Sequence, residues 1–199
     1  MPTRIILIRH GQTNDNLEKR YSGFIDICLN EYGKRQARLL RKKLASFGVQ
    51  KTFSSSSKRA VHFAILSCGR PDIAIVPQLR EMNFGIFEGM SYPEIMQKYP
   101  DIYNNWIKNS FKNKAPKGES FGDLKKRVLS AFRKIVHSQQ NKVSVVVTHA
   151  GPIRVILGEV LKLKNIWKIS PKSGGMSIIE FNKQKAKVLV INNTSYLKQ

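Results

Sequence analysis

Two short runs, Ile5-Ile6-Leu7-Ile8 and Val143 to Val147, restrict what this chain can fold into more than any other feature. The first is apolar without alternation and rich in β-branched residues. That composition suits a strand covered on both faces, as in a parallel sheet flanked by helices. The second run repeats the pattern. Each run delivers a histidine: Arg9-His10-Gly11 follows the first, and Thr148-His149-Ala150-Gly151 the second. Ligands in open α/β sheets bind at the carboxyl ends of strands, so both histidines are candidates for one site.

Between and after these runs, strand and helix patterns alternate. Gly11, Thr13 and Asn14 supply turn and cap chemistry, so a helix is expected to begin near Asn14 to Asn16. Asn30 reads as the N-cap of a second helix with Ala37, Leu40 and Leu44 on one face and Gly48 as its stop. A strand is expected at Lys51 to Ser54, a helix from about Lys58 to Ser67, and a strand near Ile73 to Val76. Leu124, Val128, Phe132 and Ile135 mark another helix, and a further one runs through Arg154, Ile156 and Leu161. Two strands are expected between Ser177 and Asn192 around the turn Asn182 to Lys185. Residues 91–118 are polar and aromatic without a regular period, and read as an excursion that covers a site. There is no internal repeat, linker or low-complexity tract, and one α/β domain spanning residues 1–199 accounts for the pattern.

The charge narrows the partners. The chain has 199 residues with 35 Lys+Arg against 13 Asp+Glu, a net charge of +22, which favours anionic ligands. Its two cysteines, Cys28 and Cys68, are too few for a disulfide framework and form no C-x-x-C pair, so a cytoplasmic location is expected. No apolar window approaches the roughly 20 residues of a membrane span. Metal ligation is not expected either: H-E-x-x-H, paired-cysteine and EF-hand patterns are absent, as is a phosphate-binding Walker loop. The basic face of Lys34, Arg38, Arg41 and Lys42 reads as a solvated helix surface, and no nucleic-acid-binding motif accompanies it.

Imidazole is a good nucleophile toward phosphorus, and a second imidazole can steady a transferring group. Phosphoryl transfer needs positioning and charge neutralisation of the equatorial oxygens, which arginine and histidine can provide without metal.

The motifs carry a resemblance. "LIRHGQTNDN" resembles the R-H-G-[EQ]-T-x-x-N signature of the histidine phosphatase superfamily, which includes the cofactor-dependent phosphoglycerate mutases. "YSGFIDICLNEYGKRQA" is similar to that family's next segment at Gly23, Asp26, Leu29, Gly33, Gln36 and Ala37. "SSSSKRAVHFA", "LREMNFGIFEGM", "KGESFGDLKKRV" and "VVVTHAGPIR" resemble the later motifs in order, so the likeness spans residues 3 to 160. It implies a three-layer α/β/α sandwich with a mostly parallel central sheet.

It also implies roles. His10 would be the nucleophile, Arg9 and Arg59 would hold phosphoryl oxygens, and His149 would complete that clamp. Thr13 and Asn16 would bind the phosphate or shape the loop. Gly11 would let the backbone pass close to the reacting group. Glu81 would protonate the leaving oxygen and then activate water. Glu88 is expected to support rather than react, Asp26 and Asp123 to serve turns or caps, and His62 and His137 to be structural or on the surface. Four residues depart from the family pattern: Ser56-Ser57 in place of Asp-Leu, Phe63 for Thr, Cys28 for Pro and Asn30 for Thr. The first departure removes a carboxylate near Arg59.

The compact chain and its "KGESFGDL" stretch resemble the phosphatase branch, and "GFIDICLN", "LREMNFG" and "HAGPIRVIL" are similar to alpha-ribazole phosphatases, which makes alpha-ribazole 5′-phosphate the first substrate expected. Phosphoserine or broad-specificity phosphatases and phosphoglycerate mutases share most of these features. Tyr103 and Trp106 would either stack on an aromatic substrate or form the core of the covering segment. A small phosphorylated metabolite is the expected partner, with no cofactor, no membrane contact, and a homodimer left open. The rival of another class is a basic nucleic-acid or protein-binding module on an inactive phosphatase fold.

Overall fold

The computed structural model describes residues 1–69, 72–182 and 185–198. Its strands are β1 (Thr3–Arg9), β2 (Lys51–Ser54), β3 (Ile73–Ile75), β4 (Val143–Thr148), β5 (Met176–Asn182) and β6 (Lys185–Asn193). They form one six-stranded sheet in the order β3-β2-β4-β1-β5-β6. The first four in that order run parallel, while β5 pairs antiparallel with both β1 and β6. Of the turn expected between β5 and β6, residues 183 and 184 lie outside the described residues.

Ile5, Ile6, Leu7 and Ile8 are all fully buried, as a run without alternation requires. Such a run marks cover on both faces rather than parallel neighbours on both sides, because β1 has one neighbour of each kind. Among the described residues the α-helices are α1 (Asn14–Leu17), α2 (Glu31–Leu44), α3 (Lys58–Cys68), α4 (Tyr92–Lys98), α5 (Pro100–Lys108), α6 (Phe121–Ser138) and α7 (Ala150–Val160). On one face of the sheet Ile6, Ile8, Val145 and Val147 pack with Leu40 of α2 and Phe63 of α3. On the other Ile5, Leu7 and Val146 pack with Leu124 and Phe132 of α6 and Ile153 and Ile156 of α7. The result is a three-layer α/β/α sandwich.

Local chemistry sets the helix ends. Asn30 accepts from Gly33 N at the start of α2, and the helix runs through a 3-10 turn into Gly48, whose φ of 60° suits a residue without a Cβ. Ser120 and Asp123 form a reciprocal capping box at the start of α6. Asp26, expected in a turn, accepts from Lys58 N and so caps α3 from a distant loop.

Residues 91–118 hold α4 and α5. Tyr103 and Trp106 are only 5% and 7% exposed and pack on Phe87, whose ring centroid lies 5.6 Å from each. Of the two expectations for this pair, packing is the one met, since neither ring has a face free for a substrate. Tyr103 also shares a 2.7 Å hydrogen bond with Tyr21, and Arg20 holds Glu94 of α4. The excursion is thereby fastened to the segment just after α1.

Phe87 is completely buried beneath α4 and α5, so Phe87→Ala is expected to lower stability by about 3–5 kcal/mol, read as a reduced urea midpoint.

Candidate active site

Parallel pairing of β1 with β4 sets Arg9 beside Thr148, and His10 N donates to the Thr148 carbonyl at 2.9 Å. The next residue of each strand is therefore a histidine facing a histidine. The two rings meet edge to face with centroids 4.9 Å apart, His10 being 3% exposed and His149 0%. From these adjacent strands the chain leaves toward opposite faces of the sheet, into α2 and into α7. A crevice opens where neighbouring connections diverge in this way.

The tautomer of His10 follows from its partner. Nδ1 lies 2.7 Å from the Gly11 carbonyl oxygen, which can only accept, so Nδ1 carries the proton. Nε2 is then the atom with the free electron pair in the neutral ring. His149 is the N-cap residue of α7 and its Nε2 bonds the Ser55 hydroxyl at 2.8 Å. Its Nδ1 is buried without a partner.

Four arginines lie at this crevice and each donates to a backbone carbonyl, Arg80 also lying 3.8 Å from an Asp26 carboxylate oxygen. Arg9 Nη1 donates to Pro171 O at 2.8 Å. Arg59, 1% exposed, donates to Ile25 O at 2.7 Å and to Gly23 O at 2.8 Å. Arg80 donates to Phe24 O, and Arg154 Nε to Ile169 O at 2.8 Å. A carbonyl orients a guanidinium without cancelling its charge. Glu81 is the carboxylate among them, interacting electrostatically with Arg9, Arg59 and Arg154. It accepts from Gly151 N at the start of α7 at 3.0 Å and from Met82 N at 3.0 Å. A Cβ on Gly151 would stand 2.3 Å from Glu81 Oε1, so only glycine permits this approach.

The electrostatic cost falls on the proton affinities of these groups. Burial, then Arg59 and Arg9, hold His10 well below the usual histidine value. Burial, then Arg59, His10, Arg9 and Arg80, do the same to His149. Arg9 and Arg59 are themselves lowered, chiefly by burial. Among the described residues, the buried side-chain atoms lacking a partner include Arg9 Nε, Arg80 Nε and His149 Nδ1, three donors or ring nitrogens around one spot. Such a spot can hold an anion, with a neutral imidazole nitrogen ready to attack it and a carboxyl group beside it to move a proton.

Thr13 and Asn16 form the reciprocal capping box of α1, Thr13 Oγ1 accepting from Asn16 N at 3.2 Å and Asn16 Oδ1 from Thr13 N at 3.1 Å. Of their two expected roles, shaping the loop is the one these bonds serve. Gly11 differs from expectation: a Cβ there would meet Gly33 O at 2.6 Å and the Phe63 ring at 2.8 Å, so it admits α2 and α3 rather than a reacting group. Glu88 supports as expected, its Oε1 accepting from Phe24 N and Phe84 N. Ser55, Arg80 and Arg154 escaped the sequence reading. Arg80 precedes Glu81, and Arg154 lies one turn beyond Gly151 on the same helix, so both had a signal in spacing. Ser55 had none, being one of four consecutive serines. Asp26, one of the positions shared with the family pattern, interacts electrostatically with Arg59.

A cavity of about 880 Å³ lies at the opposite end of the sheet, between Thr3, Phe132 and Phe181, and none of the candidate residues lines it. Among the described residues no cluster of three or more His, Cys, Asp or Glu side chains could hold a metal ion, and no helix is long and apolar enough to cross a membrane.

The model of the histidine phosphatase superfamily, branch 1, matches residues 5–194. Phosphoserine phosphatase 1 of Hydrogenobacter thermophilus is 28% identical over 98% of this chain and 94% of its own length. The metal-independent phosphoserine phosphatase of Arabidopsis thaliana is 30% identical over 92% of this chain and 78% of its own. The solved structure of the alpha-ribazole phosphatase from Shigella flexneri superposes with a TM-score of 0.89 at 27% identity, covering 96% of each chain.

The lowered histidines tie stability to pH. On acidification through about 6.5 the unfolded chain protonates both imidazoles while the folded chain resists, so the unfolded state binds more protons. Their contribution is therefore complete above about pH 6.5 and is lost as pH falls, at up to about 2.7 kcal/mol per pH unit for two protons. Urea midpoints measured across this range are expected to fall on acidification, and His149→Gln to remove about half of the slope.

Proposed function

The chain belongs to the histidine phosphatase superfamily, branch 1, and is a phosphatase; on that premise we propose that it hydrolyses small phosphate monoesters through a phosphohistidine on His10, without a metal ion. The observation that carries this reading is the bond from His10 Nδ1 to the Gly11 carbonyl, which leaves Nε2 as nucleophile. Nε2 attacks phosphorus as the bond to the leaving oxygen breaks. Glu81, as the carboxylic acid, gives that oxygen its proton. Arg9, Arg59 and the Nδ1–H of His149 hold the three equatorial oxygens, supplying the positive charge that a metal would otherwise bring. Ser55 fixes the His149 ring for this, its hydroxyl donating to the unprotonated Nε2. In the second half-reaction the Glu81 carboxylate takes a proton from water, the water oxygen bonds to phosphorus, and the P–N bond breaks to return neutral His10. Thr13 and Asn16 act by holding the loop that carries His10.

All 199 residues form one such domain in this reading, with residues 91–118 walling the crevice through the Tyr21–Tyr103 and Arg20–Glu94 contacts. The first substrate proposed is alpha-ribazole 5′-phosphate, supported by the likeness to the Shigella flexneri structure. Phosphoserine is the second, supported by relatives at 28% and 30% identity.

His10→Ala is expected to abolish both turnover and acid-labile phosphoenzyme, detected with ³²P-labelled substrate. Glu81→Gln and Gly151→Ala are expected to slow alkyl esters by about 10²–10⁴-fold while p-nitrophenyl phosphate, whose leaving oxygen needs no proton, is slowed far less. Equal loss on both ester types would remove Glu81 as the acid. Phosphate release from alpha-ribazole 5′-phosphate, phosphoserine and 3-phosphoglycerate ranks the substrates, and EDTA is expected to leave every rate unchanged.

A further inference from the structure

One wall of the crevice is a single segment that grips two of its arginines. From a 3-10 turn at Ile166–Lys168 the chain presents Ile169 O to Arg154 Nε and Pro171 O to Arg9 Nη1, each at 2.8 Å. Further on, Gly174 N donates to the carbonyls of both Arg9 and His10 at 3.1 Å. At the head of this segment stands Trp167, with half of its surface, 49%, exposed.

Trp167 is half-exposed, and the rest of its surface packs on two side chains. Its ring centroid lies 4.9 Å from that of Phe121, which is buried and backed in turn by Phe111 at 5.0 Å. The Arg154 guanidinium carbon lies 5.5 Å from the Trp167 ring centroid. Arg154 also interacts with Glu81, and its Cα is about 4.5 Å along α7 from Gly151, which binds that carboxylate. Trp167 stands four residues before Pro171, so its backbone is within about 14 Å of the carbonyl that anchors Arg9. The other tryptophan, Trp106, is buried in the core and offers no such face. A tryptophan fixed by an arginine and a phenylalanine presents a large flat surface at little cost in conformational entropy.

We propose that Trp167 is a stacking platform for the leaving group, so that this site selects phosphate monoesters whose alcohol carries a planar aromatic ring at nucleoside-like distance from the phosphate. The inference rests on the phosphatase reading above. It assigns recognition of the aromatic ring to the wall containing Trp167 and Arg154, and leaves the phosphate to Arg9, Arg59 and the two histidines. Tyr103 and Trp106 take no part.

The test compares alpha-ribazole 5′-phosphate with ribose 5-phosphate, which share the same primary ester on a ribose and differ in the aromatic base. The parent enzyme is expected to favour the first through a lower KM. Trp167→Ala is expected to raise that KM by about tenfold with kcat little changed, and to leave ribose 5-phosphate untouched. Trp167→Phe, which keeps a flat ring, is expected to retain most of the preference. Equal losses on the two esters in Trp167→Ala would overturn the proposal, as would a parent enzyme indifferent to the base while still hydrolysing phosphoserine. A parent enzyme that hydrolyses none of the three esters would bring down the phosphatase reading and this inference together.

Discussion

The site depends on the parallel pairing of β1 with β4. Backbone hydrogen bonds along Arg4 to Arg9 and Val143 to Thr148 hold these strands in register, so the residue leaving each one is a histidine. A slip by one residue would turn every side chain of one strand to the opposite face and bury the wrong set. Ile5 and Leu7 on one side and Ile6 and Ile8 on the other resist that slip, because both sets already fill cores. The apolar packing of the sheet thus fixes the 4.9 Å meeting of His10 with His149.

Around that meeting the chain tolerates an arrangement that is costly in isolation. Two buried imidazoles share the crevice with four arginines, of which Arg9, Arg59 and Arg154 interact with Glu81 and Arg59 and Arg80 with Asp26, and burial lowers the affinity of both histidines for protons. Backbone carbonyls of the loops at residues 23–25 and 169–171 hold the guanidiniums. Carboxylates in those places would have secured the arginines more tightly and cancelled the charge that an anion needs. The positive charge is therefore retained at the crevice while each guanidinium keeps a defined direction.

Much of the scaffold was legible in the sequence because its signals are local. Asn30, Gly48 and the Ser120–Asp123 pair bound helices through hydrogen bonds and backbone angles that involve only near neighbours. The run Ile5 to Ile8 announced two-sided cover. Harder to read were contacts made by side chains from separate loops. Asp26 reaches from its loop to cap α3 and interacts with Arg59. Ser55 orients His149 although nothing distinguishes it from its neighbours in the serine run. Tyr103 and Trp106 had two readings that their packing on Phe87 decides, and Gly11 proved to make room for Gly33 and Phe63.

By itself the sequence singled out His10, Arg9, Arg59, Glu81 and His149 as candidates and marked where most helices and strands begin, since period, caps and motif spacing are properties of short stretches of chain. Tertiary structure decided that β4 lies beside β1, that Glu81 sits on Gly151 N, and that Trp167 stays half-exposed while Trp106 is buried. Those outcomes depend on strand order and on which surfaces are left uncovered after packing, and hydrophobic periodicity is the same for every strand order that buries the same faces.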